Sequence, residues 1–239
     1  RSGSQRLRGA EVGTTYLGLD LRSPLVASAG PLSQTPAGVR ELADAGVGAV
    51  VLYSLFEEQV RLQAERDALL EELNGESFAE ATSYFPGLDQ PDDPARAYLS
   101  LLERAAASVD VPVIASLHAS APGAWVGFAR RLADAGASAL ELNIYYVPGD
   151  VGLAGADVEA RHLEIVAAVT AAVDVPVAVK LSPFFSSVGN FALQVVAAGA
   201  DGLVLFNRFL QPSVDIERLA AVPGVTLSSR ADSRVPRTW

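Results

Sequence analysis

The chain has 239 residues, half of them hydrophobic and 19% charged, so it can bury one sizeable core and is no disordered tract. Its 28 acidic and 18 basic side chains leave a net charge of −10, which offers no basic footprint for nucleic acid. With no cysteine there is no disulfide, thiolate nucleophile or thiolate metal site, and no apolar run reaches the roughly 18 residues a membrane helix needs.

Residues 1–12 carry basic side chains with no apolar segment behind them, so no secretory signal is expected and the expected location is cytoplasmic. Thr14–Leu21 alternates like a hairpin arm capping the bottom of a barrel. Strands are then predicted near 24–29, 48–53, 112–117, 138–143, 176–181 and 202–206. Helices are predicted near 36–45, 57–73, 94–108, 123–135, 157–172 and 187–198. One phrase recurs three times, ending a helix, placing Gly46, Gly136 or Gly199 at its C-terminal turn, and starting a short apolar run. A second phrase occurs twice, where Pro112 and Pro176 open β-branched runs.

In the fourth of these helices Trp125, Phe128, Leu132 and Ala135 share one face, while Arg130, Arg131 and Asp134 face water. Residues 75–94 have no period and many turn formers, and Tyr84 and Phe85 beside Pro86 suggest a lid. The segment 222–229 is expected to add a hairpin strand. The chain has neither an initiator methionine nor any other, so a fragment is expected.

Continuous apolar strands alternating with helices imply a parallel sheet covered on both faces. Six such units predict an α/β fold, a (β/α)8 barrel truncated after about six strands. The whole chain, 1–239, is then one incomplete domain. A doubly wound open sheet is the alternative, but no Gly-x-Gly-x-x-Gly follows any strand. Every predicted strand ends on polar residues: Ser28-Ala29-Gly30, Tyr53-Ser54, Ser116 with His118, Asn143, Lys180 with Ser182, and Asn207. In an α/β barrel those ends form the active-site face.

Lys180 is the single lysine of the chain, and period 2 puts Glu141 on the same side as Asn143. Glu141 is expected to be buried and paired. His118 reads as a rim histidine, His162 as an ordinary surface or packing residue, and two histidines without cysteine predict no metal site. One ammonium and two carboxamides around a barrel mouth suit the mixed edge of a flavin and the charge of its reduced form. A Schiff-base aldolase using Lys180 and a non-catalytic ligand-binding barrel subunit remain open alternatives.

Glu141-Leu142-Asn143, Val179-Lys180-Leu181-Ser182-Pro183 and Asn207 resemble the dihydroorotate dehydrogenase family of FMN-dependent barrels. So does the opening Ser23-Pro24-Leu25-Val26-Ala27-Ser28-Ala29-Gly30 segment. The stretches Glu141–Pro148 and Leu203–Phe209 are similar to the bacterial dihydroorotate dehydrogenase-like group, and the resemblance covers roughly residues 13–229. It implies an oxidoreductase acting on CH–CH bonds, dihydroorotate to orotate in pyrimidine biosynthesis, with FMN as cofactor and a small-molecule substrate. Ala29, Gly30, Ser54, Asn143, Lys180 and Asn207 would bind the cofactor, and the resemblance suggests a homodimer with no nucleic acid or membrane partner.

The chain departs from the family at three places. Leu52-Tyr53-Ser54 stands where a second lysine ends the second strand. Tyr145-Tyr146-Val147-Pro148 replaces the loop carrying a Cys or Ser base, which leaves Tyr145, Tyr146 and His118 as the catalytic candidates. The turns after a seventh and eighth strand, which hold the flavin phosphate in the family, have no counterpart. The expectation is therefore an FMN protein whose dihydroorotate turnover is weak or absent and whose true substrate differs.

Overall fold

The computed structural model describes residues 12–56, 94–119, 125–144, 148–207, 212–223 and 229–239. Strands β1 (Thr14–Tyr16) and β2 (Leu19–Leu21) form an antiparallel hairpin, Thr14 opposite Leu21. Leu17 at φ 55° and Gly18 at φ 73° make its two-residue turn, the left-handed pair that matches strand twist. The predicted hairpin is present.

Six parallel strands come next in chain order: β3 (Val26–Ala27), β4 (Ala49–Phe56), β5 (Val113–His118), β6 (Ala139–Asn143), β7 (Val177–Leu181) and β8 (Gly202–Leu205). Between them run α1 (Pro36–Asp44), α2 (Pro94–Ala106), α3 (Val126–Asp134), α4 (Gly155–Thr170) and α5 (Val188–Ala197). The sheet order is β3-β4-β5-β6-β7-β8, each strand beside its chain neighbour. A doubly wound sheet must reverse its order at a switch point, and this one never does. The sheet is a curled half-barrel, consistent with an incomplete (β/α)8 barrel.

Burial separates the two faces. Val50, Leu52, Ala115, Leu117, Leu140, Leu142, Val179 and Leu181 point outward into one continuous core with Phe128, Leu132, Ile165 and Phe191 from the helices. Ala49, Val51, Ile114, Ala139 and Ala178 point inward and pack with Leu17 and Leu21 of the hairpin. The hairpin thus closes the bottom of the arc. A Cβ on Gly202 would come within 2.6 Å of Leu17 Cδ2, so β8 packs closely on the tip of a hairpin side chain. On α3, Trp125, Phe128 and Leu132 are buried while Arg130, Arg131 and Asp134 are exposed, the arrangement its spacing predicts.

The predicted helix 57–73 and residues 75–93 of the predicted lid lie outside the described residues, and Pro94 opens α2. Past β8, β9 (Pro212–Asp215) and β10 (Ala220–Pro223) pair antiparallel, and α6 (Arg234–Thr238) comes after them. The hairpin strand expected at 222–229 therefore begins earlier, and its partner strand had no signal in the sequence. Among the described residues, no helix is long and apolar enough to cross a membrane.

His162 is a packing residue. Its ring stands edge-on to Phe185 at 5.4 Å and Phe191 at 5.9 Å, with Nδ1 2.7 Å from Val158 O. Burial pushes its pKa down, against the smaller upward pull of its hydrogen bonds to backbone carbonyls. The imidazole is thus held neutral in the fold, while the unfolded chain protonates near pH 6.5. Between the depressed folded value and 6.5 the unfolded state binds more protons, so stability rises with pH. We expect urea stability to be flat above about 6.5 and to fall below it, by at most about 1.4 kcal/mol per pH unit from this group. His162→Phe should flatten that slope when the two proteins are titrated side by side.

Candidate active site

The carboxyl ends of β4 to β7 bring five polar side chains together on the inner face. Lys180 Nζ donates to Glu141 Oε1 at 2.7 Å, and both side chains are largely buried, 13% and 5% exposed. Ser116 Oγ lies 3.5 Å from the same carboxylate oxygen. Asn143 Nδ2 donates to Ser116 Oγ at 2.9 Å and to Leu117 O at 3.1 Å. Ser54 Oγ and Ser116 Oγ are 2.8 Å apart. The register explains the cluster: Ser54 faces Ser116, Ser116 faces Glu141, and Asn143 faces Lys180 across adjacent strands.

Ser54 reaches this face through an irregularity. The β4–β5 register shifts between Val51 and Ser54, so three steps on β4 span two on β5, from Ile114 to Ser116. Such a bulge re-aims the side chains beyond it. Ser54 turns inward, and Tyr53 instead meets the Tyr98 ring of α2 at 5.0 Å. Tyr98 accepts from Ser116 N–H at 2.9 Å and donates to Ser116 O at 3.2 Å, satisfying backbone groups at the level of the bulge. Burial raises the Tyr98 phenol, which keeps it protonated and able to donate.

The concave face encloses a cavity of about 820 Å3. Lys180 and Glu141 line it together with Ser28, Ala29, Phe206 and Asn207 at the strand ends and Tyr16 of the hairpin below. Burial raises the Tyr16 phenol, and the negative charge of Glu141 adds to the shift. Asn207 is anchored by its N–H, 2.6 Å from Leu181 O. Among the described residues no group of three His, Asp or Glu could hold a metal ion.

No family model matches the chain. The dihydroorotate dehydrogenase B (NAD(+)) catalytic subunit of Methanocella arvoryzae is 32% identical over 200 residues, which cover 83% of this chain and 62% of that protein. The catalytic subunit of the same name from Methanosarcina acetivorans is 34% identical over 205 residues, 84% of this chain and 62% of that one. The chain is a relative of the dihydroorotate dehydrogenases. It spans about three fifths of the length of these curated relatives. Among solved structures, phosphonopyruvate hydrolase aligns over 77% of this chain and 58% of its own, at 18% identity and a TM-score of 0.47.

Of the residues expected to bind the cofactor, Asn143, Lys180 and Ser54 join one network, and Ala29 and Asn207 line the cavity beside it. Gly30 sits at the rim with its carbonyl accepting from Ser33 N–H at 3.2 Å and Ser33 Oγ at 3.0 Å. His118 ends β5 half-buried, its ring 5.0 Å from that of Phe56. Tyr145 and Tyr146 lie outside the described residues. Glu141 is buried and paired, as its place beside Asn143 predicts.

Two members of the site escaped the sequence. Tyr16 belongs to a capping hairpin, and only closure of the arc puts it under the cavity. Tyr98 is one apolar-face residue of an amphipathic helix, indistinguishable from its neighbours until the bulge creates a need for its hydroxyl. We expect Tyr98→Phe to cost about 1–3 kcal/mol, because it strips the buried Ser116 N–H of its acceptor. Chemical denaturation measures it. A cost below about 0.5 kcal/mol would mean that Ser116 finds another partner.

Proposed function

We propose that the chain carries most of an FMN-dependent oxidoreductase of the dihydroorotate dehydrogenase type, acting on a CH–CH bond of a small cyclic substrate. The observation that carries this reading is the buried Lys180–Glu141 pair beside Asn143, at the carboxyl ends of parallel strands in a relative of those enzymes. The donor set fits a flavin. A cavity of this size lies within the 300–1,000 Å3 usual for small-ligand sites, Lys180 lines it from β7, and Asn207, Ser28 and Ala29 border it.

When bound, FMN would supply the ring that exchanges hydride with the substrate. Lys180 would bring positive charge to that ring, with Asn207 and Ala29 of the cavity lining and Gly30 next in the chain also available to hold it. Asn143 would orient ring or substrate through its carboxamide oxygen, since its nitrogen is already committed to Ser116 and Leu117. Tyr145 or Tyr146 as its phenolate, or His118 as the neutral imidazole, would take the substrate proton, a role usually worth about 10²–10⁴-fold in rate. The substrate resembles dihydroorotate but is not dihydroorotate itself, because the family's base and second lysine are replaced here. The relatives are named catalytic subunits, and we propose a soluble, cytoplasmic, multi-subunit assembly with a homodimer at its centre.

The Schiff-base alternative gains nothing from the geometry, because Lys180 is engaged by a carboxylate rather than presented as a free amine. The full-length protein tests the reading. Purification should yield a yellow protein with flavin absorbance near about 450 nm. In anaerobic stopped flow that absorbance should survive dihydroorotate on the timescale of turnover. Rapid bleaching that persists in Tyr145→Phe and Tyr146→Phe would show dihydroorotate to be the substrate after all. A protein that takes up no FMN, or is trapped by borohydride at Lys180 with a carbonyl compound, would overturn the flavin reading.

A further inference from the structure

Lys180 stands opposite Asn143 in the β6–β7 register, whereas Glu141 stands opposite Ala178, one inward-facing pair deeper in the barrel. The 2.7 Å bond from Nζ to Oε1 therefore runs diagonally backward, from the strand end toward the barrel interior. A lysine stem at a polar rim ordinarily extends its ammonium toward water. Here it is drawn in until only 13% of the side chain remains exposed.

The carboxylate that draws it is itself restrained. It sits on β6 two residues before Asn143, and Ser116 Oγ approaches the same oxygen at 3.5 Å. Ser116 is in turn fixed by Ser54 at 2.8 Å and Asn143 at 2.9 Å. A buried acid engages the ammonium, and two hydroxyls and a carboxamide form one network beside that acid. A solvent-exposed lysine needs none of them.

We propose that Glu141 is a positioning residue: its carboxylate holds the ammonium of Lys180 inside the cavity and sets the net charge that the cavity presents to a bound flavin. The second half rests on the flavin reading; the first half does not. With the pair intact the two formal charges cancel, and the ammonium is available to a ligand only in competition with Glu141. Glu141→Gln keeps shape and a hydrogen-bond acceptor but removes the opposing charge. The cavity then presents one uncompensated cation, which favours the reduced, more negative form of a bound flavin.

The test has two readouts on the full-length protein. The first is trace acetylation by acetic anhydride without added FMN, with the Lys180 peptide quantified by mass spectrometry. Glu141→Gln should acetylate Lys180 about tenfold faster, since the amine is no longer held in an ion pair. Glu141→Asp, which withdraws the carboxylate by one methylene, should fall midway, and it serves as the reading if Glu141→Gln does not fold.

The second readout is the midpoint potential of bound FMN. It should rise in Glu141→Gln by about 30 mV for each tenfold gain in affinity for reduced over oxidised flavin. An unchanged acetylation rate in a folded variant overturns the positioning role, whatever flavin does. Faster acetylation with an unmoved potential overturns the charge-setting role. Faster acetylation in a protein that takes up no FMN leaves positioning supported and sinks the flavin reading alone.

Discussion

Lys180→Met is expected to lower the unfolding free energy by about 3–5 kcal/mol, the usual cost of removing one partner from a buried ion pair. Methionine matches the stem in length and fills the same space, so lost packing contributes little. The cost arises because the carboxyl group of Glu141, 5% exposed, is left buried without the ammonium 2.7 Å away. Its remaining neighbour, Ser116 Oγ at 3.5 Å, is too distant to replace an ion pair. Adding Glu141→Gln to Lys180→Met should recover most of the loss, because an uncharged pair of similar volume is often neutral relative to the ion pair.

The four proteins form a double-mutant cycle, and its coupling energy isolates the pair from the surrounding network. Urea titration is the measurement, with slopes compared to confirm that the same surface unfolds in each variant. A Lys180→Met variant within about 1 kcal/mol of wild type would mean that water screens the pair far more than its burial indicates. Flavin gives a separate readout. The same variant should purify with markedly less bound FMN, and full retention would remove Lys180 from the role proposed for it.

Phe191→Ala should cost a comparable amount, about 3–5 kcal/mol, for a different reason. Its ring is buried on the inner side of α5, stacked on Phe185 at 4.0 Å and edge-on to His162 at 5.9 Å. Truncation removes the partner of both rings and opens a cavity between α4, α5 and the segment after β7. That segment begins two residues past Lys180, with Ser182 Oγ accepting from Phe184 N–H at 3.3 Å. The loss therefore loosens the cavity mouth as well as the core. Leu193→Ala is the control on the same helix: Leu193 is 71% exposed, and its removal should stay within about 0.5 kcal/mol. Equal costs at the two positions would show that α5 is bound through the wrong face.

Much of this architecture was legible along the chain because two periodicities and three repeated helix ends are local properties. An apolar run such as Ala49–Leu52 has one good solution, a strand covered on both faces. The glycines at 46, 136 and 199 have φ between 94° and 107°, the left-handed turn their place in the repeats predicts. Alternation also put Glu141 beside Asn143, and the polar strand ends marked the rim on which the site lies. The resemblance to dihydroorotate dehydrogenases rested on those same strand ends.

Other features required the fold. The bulge at Val51–Ser54 is a mismatch between two strands separated by some sixty residues, so neither strand encodes it alone. It decides that Ser54 rather than Tyr53 joins the network with Ser116 and Asn143, a result that strict alternation from Val51 reverses. Tyr98 became part of the site only because that mismatch leaves Ser116 backbone groups in need of a hydroxyl. Likewise, strand sequences could place Lys180 at the rim, but its inward turn toward Glu141 depends on the β6–β7 register. Outside the bulge, sequence by itself determined which residues lie on each strand face, since side-chain direction follows from backbone period. Only tertiary structure decided which of them touch, because hydrogen bonds between neighbouring strands depend on register, and register is a property of the pair.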